Sequence, residues 1–65
     1  MSALIRSPNL VDHDGFYADL LAAHKGLTKE ESDALNAQII LILANHIGDR
    51  KVLSEALALA RKSAT

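Results

Sequence analysis

The chain has 65 residues and no cysteine, and its 7 basic and 8 acidic residues give a formal net charge of −1, while 49% of its residues are hydrophobic. This composition excludes a disulfide framework and a thiolate metal site, and the charge balance argues against a nucleic-acid partner or an anionic membrane surface. A chain of about 60 residues buries only roughly 60% of its unfolded surface, so we expect a single domain that needs support from packing, a partner or a less usual metal site.

The first eleven residues predict an extended N-terminal arm. Pro8 disfavours helical conformation at Ser7, and the apolar residues Leu4, Ile5 and Leu10 allow parts of the arm to dock. We see neither the basic start and apolar core of a signal peptide nor a run of the ~20 apolar residues that spans a bilayer. The expected organisation is an arm at 1–11 and one helical domain at 12–65, in a cytoplasmic protein without membrane contact.

The first predicted helix begins at Asp12, whose carboxylate suits an N-cap, and ends before Gly26. Val11 and Phe16 have the spacing of a hydrophobic staple across that cap. At 100° per residue, one face predicts a single buried stripe. This stripe consists of Phe16, Tyr17, Leu20, Leu21, Ala23 and His24.

The second predicted helix starts with a capping box formed by Thr28 and Glu31 and continues to about Ile47. We expect the first and third helices to cover its two apolar sides, with Leu41 pointing away from both. One side consists of Leu35, Ile39 and Ile42, and the other of Ile40, Leu43 and Ile47. The run 39–43 also suits a buried strand by propensity, but the helical period is unbroken by any turn residue, which favours a helix.

The third predicted helix has Asp49 as its cap, and its basic end, Arg61 and Lys62, suits the negative end of the helix dipole. We expect residues 63–65 to fray. Its apolar face consists of Val52, Leu53, Ala56, Leu57, Leu59 and Ala60. The predicted fold class is therefore all-α, a small up-down-up three-helix bundle with an extended N-terminal arm.

Two helix ends share a pattern of a histidine, one further residue and a glycine, at His24 to Gly26 and at His46 to Gly48. Glycine at a helix end supplies the left-handed conformation, so we expect a positive φ at both glycines. We interpret both histidines as helix-end caps. They lie at opposite ends of the second helix, about 30 Å apart at 1.5 Å per residue, and so cannot form one site within a chain.

Several segments resemble a small proteobacterial family known only as a domain of unknown function. The segments are Asn9-Leu10, Phe16-Tyr17, Ala23-His24-Lys25-Gly26-Leu27 and Ala44-Asn45-His46-Ile47-Gly48-Asp49-Arg50, and the similarity runs from about Asn9 to Arg61. The most specific element is the run from Asn45 to Arg50. The resemblance implies no catalytic residues. It implies an accessory role beside a larger enzyme, such as a flavin-dependent aromatic hydroxylase.

In an up-down-up arrangement, the start of the first helix, the end of the second and the start of the third share one end of the bundle. We call this end the polar pole. Its candidates are Asp12, His13, Asp14, Asn45, His46 and Asp49, followed by Arg50. Carboxylates with imidazoles can bind a divalent metal or transfer protons, but no known ligand spacing is present and capping accounts for two of the acids. We therefore predict no catalytic residue, no cofactor and no metal, with a small metal-binding protein or enzyme at this pole as the alternative.

The remaining signals indicate a partner. Arg50 and Lys51 place positive charge at the positive end of the third helix, which an anion or an acidic partner surface would explain. Leu41, together with the apolar arm residues at positions 4, 5 and 10, exceeds what one small core can bury. The sequence therefore favours a non-catalytic interaction module. It would form a homo-oligomer, with a dimer as the first expectation, or serve as accessory subunit or regulator of a larger protein.

Overall fold

The computed structural model describes residues 3–64 and contains α1 (His13–His24), α2 (Lys29–Ile47) and α3 (Arg50–Ala64). Residues 3–10 form the arm without helix or strand, and no strand occurs anywhere in the described part of the chain, so the all-α prediction is confirmed. The residues at 1, 2 and 65, which belong to the predicted arm and tail, lie outside the described residues. None of the helices within 3–64 combines the length and apolarity needed to cross a membrane.

All three predicted N-caps form. The Gly15 N–H donates to the Asp12 carboxylate at 3.1 Å. Thr28 and Glu31 make the reciprocal capping box: the Glu31 N–H donates to the Thr28 hydroxyl at 3.2 Å, and the Thr28 N–H donates to the Glu31 carboxylate at 2.9 Å. At α3, the Asp49 carboxylate accepts the N–H groups of positions 51 and 52 at 3.0 and 3.2 Å. These bonds satisfy donors that the first helical turn leaves unpaired.

The C-terminal ends also follow the sequence. Gly26 and Gly48 have φ values of 81° and 66°, which confirms the predicted left-handed glycines. The two histidines do not hold the same position at their helix ends: His24 is the last residue of α1, whereas His46 is the last but one of α2. The expected fraying of residues 63 and 64 is wrong, since α3 runs to Ala64 and the hydroxyl at 63 donates to the carbonyl at 59.

The predicted staple between Val11 and Phe16 is wrong. Asp12 has a left-handed backbone, with φ 56° and ψ 53°, whereas an N-cap usually has extended backbone. Aspartate is among the few residues that tolerate the left-handed region. This turn leaves the Val11 side chain 88% exposed, so it does not cover the first turn of α1.

No residue from 3 to 64 is fully buried. The best covered apolar side chains are only half-buried: Leu4, Leu20, Leu35, Ile39, Ala44, Val52, Leu53, Ala56 and Leu59. On α1, Phe16, Tyr17 and Leu21 stay 48%, 60% and 54% exposed, so the single buried stripe predicted there is wrong. The physical reason is that the three helices enclose no common interior, and the up-down-up bundle remains a prediction.

Replacing Gly48 by valine tests the cap of α2. A β-branched residue at a φ of 66° is strained, so we expect Gly48→Val to lower the free energy of unfolding by about 1 kcal/mol or more. Lys25→Val is the matched control, because Lys25 follows the end of α1 with an extended backbone, φ −62° and ψ 129°, that valine adopts freely. Equal denaturant midpoints for wild type and Gly48→Val would contradict the assignment.

Gly15→Ala tests the cap of α1. Alanine normally stabilises a helix relative to glycine, but a Cβ here would overlap the Asp12 carboxylate and displace the cap. We expect Gly15→Ala to destabilise wild type by about 1 kcal/mol, the usual value of an N-cap. In an Asp12→Gly background, which keeps the left-handed turn and lacks the carboxylate, the same change should stabilise. If chemical denaturation shows that Gly15→Ala changes the free energy of unfolding in the same direction in both backgrounds, this explanation is ruled out.

Candidate interaction surface

The C-terminal half of α2 carries large aliphatic side chains that the chain does not cover. Ile40, Leu41 and Ile42 are 62%, 63% and 63% exposed, and Leu43 and Ile47 are 48% and 51% exposed. We call these five residues the α2 apolar surface. The expectation that α1 and α3 would cover both sides of α2 is wrong, because only Leu35 and Ile39 of its predicted apolar sides are half-buried.

The accessible surface of the whole chain shows how much area remains exposed compared with a compact domain. The chain exposes 5869 Å². A compact monomer of its mass of 7.0 kDa exposes roughly 4,000 Å², and its unfolded chain roughly 10,000 Å². Folding of the single chain therefore leaves an excess of roughly 1,800 Å² in water relative to a compact domain.

The arm lies on α3 and leaves Leu41 uncovered. The Leu4 N–H donates to the Glu55 carboxylate at 3.1 Å, and the Leu4 side chain is half-buried. An open groove runs between the arm and α3, lined by Ala3, Leu4, Arg6, Glu55, Leu59 and Lys62. Ile5 and Leu10, the other apolar arm candidates, remain 62% and 56% exposed.

Arg50 and Lys51 are exposed in the first turn of α3, which contains no acidic residue. Asp49 precedes them and uses its carboxylate to accept backbone N–H groups. Neither basic side chain forms an ion pair or a hydrogen bond with another residue in the range 3–64. Both charges are therefore available to a partner.

The structure divides the predicted polar pole into local contacts. Asp12 and Asp49 cap α1 and α3, as their positions before those helices predict. His13 Nδ1 lies 3.2 Å from the neighbouring Asp14 carboxylate, with both side chains largely in water. Asn45 and His46 are exposed near the end of α2. Across residues 3–64, no three histidine, aspartate or glutamate side chains come together in a group suited to a metal ion.

His24 makes a contact that sequence reasoning missed. Its Nδ1–H donates to the Leu20 carbonyl at 2.8 Å, one turn before the helix end, rather than to one of the last four carbonyls of α1 as the predicted cap would. Its Nε2 lies 2.8 Å from Asn36 Oδ1, so the same ring also connects α1 to α2. Asn36 lies on the covered side of α2 with Leu35 and Ile39. This helical spacing is the feature of the sequence that could have predicted its contact with α1.

Comparison with known proteins identifies the family of the chain. The family model described as "Protein of unknown function (DUF2783)" matches residues 4–62. The chain belongs to the DUF2783 family. The match confirms the resemblance to a family of unknown function, and it contains all of the α2 apolar surface as well as Arg50 and Lys51. No curated protein and no solved structure matches the chain.

A double-mutant cycle tests the link between α1 and α2. We expect His24→Ala and Asn36→Ala each to lower the free energy of unfolding, with a coupling of about 0.5–1.5 kcal/mol, because either change removes the same hydrogen bond. His46→Ala is the control, since the His46 side chain has no hydrogen bond to another residue between 3 and 64. Strictly additive losses in urea denaturation would show that the two side chains do not interact.

Proposed function

We propose that this protein is a non-catalytic interaction module whose α2 apolar surface is covered by another protein chain. The single observation that carries the proposal is the exposure of the five aliphatic side chains that define this surface. Single exposed apolar residues are normal in monomeric soluble proteins, whereas several large ones exposed on one helical segment commonly mark an interaction site.

Energy supports the same conclusion. Full burial of one leucine contributes roughly 1.5–3 kcal/mol. A natural domain has a net stability of only about 5–15 kcal/mol, so this chain forgoes a large share of its potential stability while Leu41 and its neighbours remain in water. Association supplies the burial that three helices of one chain do not provide for each other.

Two kinds of occupant fit this function. A second copy would make the protein a homodimer, the commonest form of soluble oligomer. A larger protein would make it an accessory subunit or regulator. Both occupants would cover Leu41.

Substitution at the centre of the surface tests association. In sedimentation equilibrium at micromolar concentration, we expect the wild-type chain to be a dimer or larger, and Leu41→Glu to shift it toward monomer and lower its melting temperature. Burying an unpaired carboxylate at an apolar contact is costly. Val11→Glu is the control, because Val11 is 88% exposed and lies outside α2.

A wild-type monomer that melts cooperatively, and in which Leu41→Glu has no effect, would refute the interaction module. A wild-type monomer that melts without cooperativity would instead indicate that a different protein covers the surface, because the chain alone would then lack a stable packed state.

A further inference from the structure

Four charged residues lie symmetrically in sequence about the apolar part of α2, apart from the Lys29–Asp33 ion pair in its first turns. Glu30 and Glu31 lie in its first turn, and Arg50 and Lys51 follow its end. Between them, from position 34 to position 47, the sequence has no aspartate, glutamate, lysine or arginine. The middle of this uncharged stretch falls between residues 40 and 41. The same point lies midway between Glu30 and Lys51, and midway between Glu31 and Arg50.

This arrangement is self-complementary. If a second copy is turned end for end about that point, its basic end lies beside the acidic end of the first copy, and the apolar centres face each other. A parallel copy would instead place Glu30 beside Glu30 and Lys51 beside Lys51, and like charges in contact are unfavourable. A two-fold axis repeats each favourable contact, because in such an interface residue i contacts j and j contacts i.

We propose that the side of the α2 apolar surface that carries Leu41 binds a second copy of this chain, with the two α2 helices antiparallel and the two-fold axis close to Leu41. This inference rests on the proposed function and names its partner. Glu30 of each copy lies beside Lys51 of the other. The α2 helix therefore sets both the partner and the relative direction of the two chains.

The charges required for this contact are available. Glu30, Arg50 and Lys51 are exposed, and none of them forms an ion pair with another residue in the range 3–64. Glu31 already accepts the Thr28 N–H in the capping box, which makes Glu30 the acid free to contact a partner. The two ends of α2 are about 27 Å apart at 1.5 Å per residue, so Glu30 and Lys51 cannot pair within one chain.

The geometry of α2 directs Leu41 outward. Ser32, Leu35 and Ile39 are half-buried and lie on one side of the helix. Leu41 is 63% exposed and shares the opposite side with Glu30, because eleven residues correspond to about three helical turns. The acidic end and the apolar centre of the proposed contact therefore face the same way.

The uncovered area fits a second copy. An excess of roughly 1,800 Å² on each chain gives roughly 3,600 Å² for two chains. Obligate homodimer interfaces bury about 2,000–5,000 Å² in total and are more hydrophobic than transient ones. The total area that the two chains leave in water is therefore of the size that a permanent dimer buries.

Cysteine cross-linking tests the antiparallel pair, since the chain has no cysteine of its own. Under mild oxidation we expect Leu41→Cys to form a covalent dimer, because a residue beside the two-fold axis meets its own copy. Glu30→Cys alone should remain unlinked, whereas an equimolar mixture of Glu30→Cys and Lys51→Cys should cross-link. Val11→Cys is the control for random collision of exposed thiols.

Charge exchange provides a second measurement. We expect Glu30→Lys or Lys51→Glu to weaken the dimer about tenfold, because two ion pairs per dimer become like-charge contacts. The double variant Glu30→Lys/Lys51→Glu should recover wild-type affinity. Arg6→Glu makes the same change of charge on the arm and should leave the dimer unchanged.

The outcomes separate this inference from the proposed function. A wild-type dimer in which Glu30→Cys links to itself, or in which Leu41→Cys does not link, overturns the antiparallel α2 pair and leaves the interaction module intact. A monomer that melts without cooperativity overturns the second copy as occupant and leaves a different protein as partner. A monomer that melts cooperatively, and in which Leu41→Glu has no effect, overturns both.

Discussion

The limited burial that one chain achieves determines the rest of this structure. Ordering each residue costs roughly 1–2 kcal/mol of backbone entropy, and apolar burial is the main term that offsets it. Here the residues from 3 to 64 include none that is fully buried. The exposed α2 apolar surface and the importance of single contacts such as the one from His24 to Asn36 both reflect this constraint. The helices are well specified one by one, while the cohesion between them is weak.

The elements that could be predicted from the sequence depend on residues that are close in the chain. Thr28 and Glu31 contact each other across one helical turn, and Gly48 needs only its own backbone conformation to end α2. Packing depends on residues that are distant in the chain, and the sequence pattern does not show which of them come into contact. The arm contact joins Leu4 to Glu55 across 51 positions, and nothing in the spacing of apolar residues selects that carboxylate.

The candidate surface shows the same division. Leu41 could be predicted as exposed because it lies opposite Leu35 and Ile39 on the helical wheel. The equal exposure of Ile40 could not be predicted in this way, because we expected neighbouring helices to cover both apolar sides of α2. The polar pole depended on a bundle arrangement, whereas the contacts found for Asp12, His13 and Asp49 all lie within their own helix starts. The two histidine motifs look alike, yet only His24 meets a polar side chain on another helix.

The caps also shape the order in which the structure forms. Every cap bond joins residues within two to four positions, from Asp12 to Gly15, Thr28 to Glu31 and Asp49 to Val52. Loops this short close at little entropic cost, and helical segments form on a timescale of about a microsecond or less. Contacts between helices are few, so little slow long-range searching remains within one chain. The helices therefore form first, and the few contacts that join them, such as the one from His24 to Asn36, follow.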